Sequence, residues 1–410
     1  MSPEPATFEM GRAYRLVTDL GRGRQIARKP HLLTLVAGGD QLHLDLEGRL
    51  HRAWVAGASY QRGLDGRVRR VRIDRPATGE RWLEIDLLPD GERRQLLAHV
   101  LERVREVQGA LAAHPVPVPP ALLAPLERAA ARTPDRDAAD IARFQEIYDP
   151  IPILPPDQNR ALVLQATSGC SWNRCSFCHL YRDIRFRAHP TDAFRAHVRA
   201  VRELVGAALP LRRGVFLGQA NALCIQLERL RAAIEVIRDE LGDARRWPLA
   251  AFVDAFTRRR RRTELEELAA RGLESVTLGL ESGSPTVLGL LGKPAEDEAA
   301  LALVHDLGAA GIRRGIIVLA GAGGRRHAAE HVARTAAMIA AMRLERRDRV
   351  YLSPLHVIED SAYAARVAAD DLGTLSRAEA AAQARLLRTR LRQAGVPAAI
   401  ALYDIRRFIY

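Results

Sequence analysis

The sequence predicts an α/β protein: a partial, TIM-like barrel of six parallel β/α units, preceded by a small antiparallel β-rich domain. Three observations support this. Beyond residue 157, short apolar runs alternate with amphipathic helical segments. Before residue 90, apolar and polar residues alternate between glycine-containing turns, and a proline-rich segment separates the two patterns. Since each helix must return the chain to begin a parallel neighbour, the alternation of apolar runs and helices beyond residue 157 predicts one curved parallel sheet.

Residues 1–113 are predicted to form the antiparallel domain and its closing helix, from about Gly91 to Ala113. The strands are predicted from apolar residues at alternate positions: Leu42, Leu44, Leu46, Val71, Ile73, Leu83, Ile85 and Leu87. Turns are expected at four glycine-containing pairs: Gly38-Gly39, Glu47-Gly48, Asp65-Gly66 and Thr78-Gly79. One hairpin carries six arginines: Arg62, Arg67, Arg69, Arg70, Arg72 and Arg75. They indicate either a solvated charged face or a site for RNA or an acidic substrate.

Residues 114–156 are predicted to be a linker and a helix. The segment His114–Pro125 contains five prolines and is expected to be extended, because proline interrupts helices and sheet ladders. A second helix is predicted over about 126–146. The barrel is assigned to residues 157–360 and a C-terminal helix and tail to 361–410.

The six barrel strands are predicted from apolar runs: Ala161–Leu164, Gly214–Leu217, Leu249–Val253, Ser275–Leu280, Gly315–Leu319 and Arg349–Leu352. Helices are predicted over Cys224–Leu241, which ends at a glycine, and over Ser376–Ala394. The aromatic residues of the tail are expected to close the side of the barrel: Tyr403, Phe408 and Tyr410.

Three cysteines lie within nine residues, at Cys170, Cys175 and Cys178. Thiolates are soft ligands that suit iron–sulfur clusters or zinc, and a short loop brings three of them around one inorganic core. The remaining cysteine, Cys224, is distant in sequence, and His179 is too close to Cys178 for both to bind easily. The spacing therefore favours a [4Fe-4S] cluster with one open iron; a zinc knuckle or a chance cluster of cysteines is the alternative.

The cysteine segment and its surroundings resemble the radical S-adenosylmethionine (SAM) superfamily over residues 160–355. The family commonly has C-x3-C-x2-C, whereas this chain has C-x4-C-x2-C, a variant that resembles elongator-catalytic-subunit-like and coproporphyrinogen-oxidase-like proteins. The resemblance implies that the cluster binds SAM, cleaves it reductively and generates a 5′-deoxyadenosyl radical that abstracts hydrogen from a substrate. It also implies oxygen sensitivity and a reducing partner such as flavodoxin or ferredoxin.

The resemblance also implies which residues contact SAM. Phe177 corresponds to the aromatic residue that packs against adenine. The segment with Gly218, Gln219 and Asn221 stands where the family binds the amino group, although glutamine replaces an acid there and a tight turn is the alternative. The Gly-Leu-Glu-Ser-Gly-Ser segment carries Glu281 for the ribose and Ser282 for the carboxylate. Leu319 and Gly321 lie in the segment that corresponds to the one flanking adenine.

Four residues near predicted strand ends are candidates to contact substrate: Tyr181, Asp254, Ser353 and His356. Each has a structural alternative: Asp254 would cap the following helix, His356 would be a loop residue, and Tyr181 would pack beneath the cluster loop. Cys224 is expected to be a small buried residue at a helix start rather than a hydrogen donor.

The formal net charge is +13, yet Lys29 and Lys293 are the only lysines, so arginine in an alanine-rich chain supplies nearly all of it. The run Arg258–Arg262 is either a solvated connection or a phosphate-binding patch. Neither a signal peptide nor an apolar membrane span is apparent, and with three cysteines assigned to a cluster a cytoplasmic protein is expected.

Two classes of function follow. The leading one is a radical SAM enzyme of unidentified substrate, with a small molecule favoured over RNA. The alternatives are an RNA-modifying enzyme of the same family and a non-enzymatic iron–sulfur or RNA-binding protein.

Overall fold

The computed structural model describes residues 16–74, 82–114, 118–243 and 245–410. Its contacts divide these residues into two units. One comprises the described residues up to Pro150 together with Ala200–Arg212 and Arg407–Tyr410; the other comprises Ile151–Arg199 and Arg213–Arg406. No helix in the described ranges is both long enough and apolar enough to cross a membrane.

The first unit contains an antiparallel sheet whose strands pair in chain order, each with the next. Its strands in the described residues are β1 (Leu16–Asp19), β2 (Gln25–Arg28), β3 (Leu33–Ala37), β4 (Asp40–Leu44), β5 (Leu50–Val55), β6 (Ala58–Arg62), β7 (Val68–Asp74) and β8 (Trp82–Leu87). Glycines with positive φ, Gly39, Gly48 and Gly66, stand at three of the predicted turns. The fourth, Thr78-Gly79, lies outside the described residues.

Three helices follow the sheet: α1 (Asp90–Ala112), α2 (Pro120–Ala130) and α3 (Pro134–Ile147). The apolar face of β3 and β4 and the buried sides of α1 and α2 form one core. The prediction that His114–Pro125 is extended is wrong from Pro120 onward, since Pro120 occupies the first helical position, where its missing N–H costs nothing. The predicted second helix is two helices, because Thr133 caps α3 by accepting a hydrogen bond from the Arg136 N–H (3.2 Å).

The hairpin arginines are largely neutralised within this unit. Arg62 is buried and forms an ion pair with Asp137 (2.5 Å), and Arg70 pairs with Asp86 (2.5 Å). Arg67 and Arg72 pair with Asp65 and Glu84, whereas Arg69 donates to the Gln61 side chain. Arg75 lies outside the described residues. These pairs leave little free positive charge for an anionic partner.

The second unit is built on a parallel sheet. In the described residues its strands, in spatial order, are β9 (Leu162–Leu164), β12 (Val215–Leu217), β13 (Leu249–Val253), β14 (Leu273–Glu281), β15 (Arg313–Ala320), β16 (Arg349–Pro354) and β17 (Ala399–Leu402). The six predicted strands are all present. A short hairpin, β10 (Thr167–Ser168) with β11 (Arg187–Ala188), frames the cysteine loop.

One parallel strand was not predicted. β17 pairs with β16, so the partial barrel has a seventh strand in the described chain. Its short apolar run falls in the segment that was assigned to the C-terminal tail, so it was not recognised as a strand. The prediction that Tyr403, Phe408 and Tyr410 close the barrel side is wrong for Phe408 and Tyr410, which belong to the first unit. Tyr410 packs there against Tyr148, with ring centroids 5.8 Å apart.

Helices connect the strands: α4 (Thr191–Val205), α5 (Leu227–Leu241), α6 (Arg262–Ala270), α7 (Pro285–Leu290), α8 (Asp297–Ala309), α9 (Ala328–Ala341), α10 (Ala362–Ala369) and α11 (Arg377–Gln393). The predicted helix before Gly242 begins at Leu227, three residues after Cys224. Ser376 caps α11 by accepting a hydrogen bond from the Glu379 N–H (3.3 Å).

The run Arg258–Arg262 is not uniformly solvated. The Arg260 side chain is 1 % exposed and donates to the backbone oxygens of Leu223 and Ile225, which flank Cys224. This arginine therefore holds the turn before α5 in place, while its neighbours in the run are exposed.

Candidate active site

A cavity of about 230 Å³ opens where the parallel strands end, and all three cysteines of the motif line it. We call it the cysteine cavity. Its lining also includes residues at or just after the ends of β12, β13, β14, β16 and β17, such as Asn221, Asp254 and Tyr403. Adjacent strands lie about 4.8 Å apart, so residues beyond both edge strands of a flat sheet would be too distant to share one cavity. The sheet therefore curves as a partial barrel.

The longer first interval of the cysteine motif is accommodated by Trp172 and Asn173. The Trp172 indole N–H donates to the Gly292 oxygen (3.1 Å). Asn173 has φ 48°, and its side-chain amide donates to the Tyr181 oxygen (2.8 Å). Asparagine is among the few residues that adopt this left-handed conformation readily. The extra residue is thus absorbed in a turn between Cys170 and Cys175.

Burial raises the pKa of the Cys175 thiol to about 12, and Cys178, Glu281 and Cys170 act in the same direction while Lys293 opposes them. Burial also raises the pKa of Cys178, to about 11. Without a bound cation these thiols are protonated, so metal binding would release protons. No group of three or more His, Cys, Asp or Glu side chains in the described chain is arranged around a single metal ion. The arrangement needed for a [4Fe-4S] cluster is different, because each thiolate binds a separate iron atom of the cluster.

Glu281 and Lys293 form a nearly buried ion pair beside Cys175. Lys293 Nζ lies 3.0 Å from Glu281 Oε1, and it also donates to the Gly279 oxygen. Burial alone would lower the pKa of Lys293, but Glu281 and the Cys175 thiol raise it above its ordinary value. Glu281 has φ 63° at a bulge in the β14–β15 pairing. Such a conformation is costly for glutamate, and the bulge directs this carboxylate into the cavity.

Asp254 and Asn221 belong to one hydrogen-bond network. The Asn221 amide donates to Asp254 Oδ2 (2.5 Å) and to Ser171 Oγ (3.1 Å). Asp254 also accepts from the backbone N–H groups of Phe256 and Thr257. These bonds close a turn in the loop after β13. The structural alternative, that Asp254 caps the following helix, is wrong, because α6 begins at Arg262 and its N-cap is Arg261; the Asp254 side chain also lines the cavity. Asn221 Oδ1 is buried and accepts no hydrogen bond from any described residue.

The remaining substrate candidates, Tyr181, Ser353 and His356, also line the cavity. Tyr181 is buried, which raises its pKa well above the ordinary value. His356 Nε2 lies 3.0 Å from Asp404 Oδ1. Burial would raise the pKa of Asp404, but hydrogen bonds from His356 and Arg406 hold it well below its usual range. The imidazole is therefore oriented by a carboxylate.

Of the residues assigned to SAM, Phe177, Asn221, Glu281 and Leu319 line the cavity. Four others lie behind it or beside it: Gly218, Gln219, Ser282 and Gly321. Gln219 Oε1 accepts a hydrogen bond from the Gly169 N–H, and Ser282 Oγ lies 2.8 Å from His331 Nδ1 in the interior. Gly218 has φ 74°, and a Cβ there would lie 2.6 Å from Thr167 Oγ1.

Gly321 has φ 96° and donates its N–H to Gln383 Oε1 (2.6 Å). Asp404, Phe256 and Trp172 were not predicted as site residues from the sequence, and Lys293 was noted only as one of the two lysines. Asp404 was missed because the strand that precedes it was not recognised. Trp172 lies within the motif itself, so its place in the site could have been inferred.

Residues 164–339 match the family model described as the radical SAM superfamily. This segment is a radical SAM domain. It contains the three motif cysteines, Glu281 and Lys293, whereas Ser353 and His356 follow it. Members of the radical SAM superfamily are enzymes that use a [4Fe-4S] cluster and SAM. No curated protein sequence matches this chain.

Several solved structures are similar to this chain. Coproporphyrinogen III oxidase (HemN) from Escherichia coli, a radical SAM enzyme, shares 17% identity over 50% of this chain and 45% of its own, with a TM-score of 0.41. The methyltransferase TsrM from Kitasatospora setae, with cobalamin and a [4Fe-4S] cluster bound, shares 16% identity over 51% of this chain and 39% of its own, with a TM-score of 0.41. The chain thus spans less than half the length of both. Methylornithine synthase (PylB) shares 15% identity over 59% of this chain and 72% of its own, with a TM-score of 0.39.

Proposed function

We propose that this chain is a radical SAM enzyme in which Cys170, Cys175 and Cys178 hold a [4Fe-4S] cluster, and that it acts on a small molecule. The observation that carries the proposal is the position of the three thiols: they line one cavity at the strand ends, inside the segment that matches the family model. When bound, the cluster supplies the electron that cleaves SAM to methionine and a 5′-deoxyadenosyl radical, which abstracts hydrogen from the substrate.

The donor set of the cavity fits such a cluster and its ligand. The three thiols are soft donors from one short loop. The raised pKa values of Cys175 and Cys178 mean that only a bound cation would keep these two as thiolates. Asn221 supplies a buried oxygen without a partner among the described residues, and a buried acceptor of this kind is costly unless a donor reaches it. The ammonium group of SAM is a suitable donor.

Other side chains of the cavity would bind and orient SAM. Lys293 presents an ammonium group toward Cys175, where a carboxylate of the ligand would find a cationic partner. Glu281 would accept hydrogen bonds from ribose hydroxyls. Phe177 and Leu319 give the cavity apolar walls, against which an adenine ring would pack and from which water is displaced.

Tyr181, Ser353 and the His356–Asp404 pair would contact the substrate. One phenol, one aliphatic hydroxyl and one imidazole that is oriented by a carboxylate suit a small polar molecule rather than a long polymer. The ion pairs within the arginine hairpin also favour a small molecule over RNA. Reduction would come from an external electron carrier.

Anaerobic reconstitution with iron and sulfide tests the proposal. We expect about four irons and four sulfides per chain and conversion of SAM to 5′-deoxyadenosine after reduction with dithionite. Replacement of any one motif cysteine by alanine should abolish both, because a cubane held by two thiolates is poorly anchored. Stoichiometric zinc with no cluster absorbance would support a zinc knuckle, and a stable cluster that never cleaves SAM would support a non-enzymatic role.

A further inference from the structure

The outer side of the cysteine loop carries four exposed arginines: Arg174, Arg182, Arg185 and Arg187. We call this group the loop arginine patch. In the described part of the chain none of the four forms an ion pair, and the single acidic residue between Arg174 and Arg187 is Asp183. In the N-terminal hairpin, by contrast, most of the arginines form ion pairs with carboxylates. The patch therefore presents uncompensated positive charge.

Two members of the patch lie directly beside motif cysteines. Arg174 directly precedes Cys175 and lies over the Trp172 ring at 5.4 Å. Arg182 Nε donates to the Cys178 oxygen (3.2 Å), and its guanidinium also lies 3.4 Å from the Ser176 oxygen.

The other two arginines adjoin the strand that enters the loop. Arg187 in β11 pairs with Ser168 in β10. The backbone around Arg185 packs so closely on Gly169 that a Cβ at Gly169 would lie 2.6 Å from the Ile184 oxygen. The positive surface is thus the outer wall of the loop whose inner wall carries the thiols.

We propose that the loop arginine patch is the docking surface for an acidic one-electron carrier protein of the flavodoxin or ferredoxin class. This inference rests on the proposed function. An electron must reach the cysteine loop from outside, and electron transfer slows steeply with distance, so the carrier must approach the surface of this loop. Redox encounters use small, weak interfaces steered by opposite charge, which is the kind of surface that four unpaired arginines provide. In the step itself the carrier loses one electron and the loop's cluster gains it, and no bond forms or breaks.

The test uses the reconstituted protein and two probes, an acidic flavodoxin and an acidic ferredoxin, with binding measured by biolayer interferometry at low salt. In the variant R185E/R187E we expect the Kd for at least one carrier to rise about tenfold, since charge reversal removes steering and adds repulsion. The matched control is R385E/R388E on α11, whose arginines are exposed and belong to no described ion pair; it should bind like the unaltered protein.

A second measurement is the ratio of carrier-driven to dithionite-driven SAM cleavage, because dithionite needs no docking surface. This ratio should fall about tenfold in R185E/R187E and remain constant in the control. Binding by the unaltered protein should also weaken between about 20 and 200 mM salt, a readout that needs no variant.

The proposal is overturned if the Kd and the ratio are the same in both variants, or if salt leaves the unaltered protein's binding unchanged. Tighter binding of a transfer RNA than of either carrier, lost in R185E/R187E, would assign the patch to nucleic acid and would also overturn it. Absence of SAM cleavage with dithionite, by contrast, would remove the proposed function itself.

Discussion

The Glu281–Lys293 pair is expected to be strongly coupled, and replacement of Lys293 by methionine tests this. The two side chains are 12% and 10% exposed, and their charged atoms lie 3.0 Å apart. Methionine keeps the length of the lysine stem but leaves the Glu281 carboxylate buried without its cation. Removal of one partner from a buried pair costs about 3 to 5 kcal/mol, whereas replacement of both partners costs much less.

The expected loss of stability can be measured as a decrease in melting temperature. For a unit of this size, about 1 kcal/mol shifts the midpoint by roughly 2 to 4 °C, so K293M should melt roughly 6 to 20 °C lower in its transition. Glu281→Gln should lower it comparably, and the double variant E281Q/K293M should lose clearly less than the sum. Calorimetry on iron-free protein excludes cluster loss as the cause.

The control is the exposed pair Arg325–Glu379, whose side chains are 57% and 42% exposed. This pair has two parallel hydrogen bonds. R325M should nevertheless lower the free energy of unfolding by no more than about 1 kcal/mol, because solvent screens the charges. Additive effects of E281Q and K293M, within about 0.5 kcal/mol, would refute the argument that these two charges stabilise each other.

Two further predictions follow. Burial lowers the pKa of His331 to about 4, so the folded protein keeps this imidazole neutral while the unfolded chain protonates it below about 6.5; stability should therefore fall as pH drops from 6.5 to 4, and calorimetry should find a shallower fall in H331Q. Cys224 lies in a turn beside Ser171, half-buried and outside the lining of the cysteine cavity. C224A should therefore retain its iron and cleave SAM within about twofold of the unaltered rate; loss of either in folded protein would give Cys224 a part in the chemistry.

The strand ends could be predicted because buried parallel strands appear as continuous apolar runs. The runs at Leu249–Val253 and Arg349–Leu352 agree with β13 and β16 to within two residues. Since the carboxyl ends of parallel strands share one edge of a sheet, the polar residues that follow them, Asp254 and His356, were expected to meet there. The structure places both on the same cavity.

Side-chain direction was harder to predict. Adjacent residues on a strand point to opposite faces, so Glu281 and Ser282 could not both enter the cavity along a regular strand. Glu281 enters it through a positive φ, and Ser282 turns inward to His331. Gln219 likewise supports the backbone at Gly169 and leaves Asn221 as the neighbouring side chain that reaches the cavity. A motif fixes which residues are near a site, and local backbone geometry decides which of them face it.

The cavity residues divide according to their position along the chain. Cys175, Glu281 and Lys293 lie within the segment that matches the family model, whereas His356 and Asp404 follow it. A domain shared by many enzymes contains the residues for the chemistry that they share. The chemistry that differs among them must then depend on residues outside that domain. Strand β17 was not recognised in the sequence, yet Asp404, which follows it, pairs with His356 at the cavity. We therefore expect substrate identity to depend on the ends of β16 and β17, and substitutions there should change which molecule reacts while leaving SAM binding to the preceding strands.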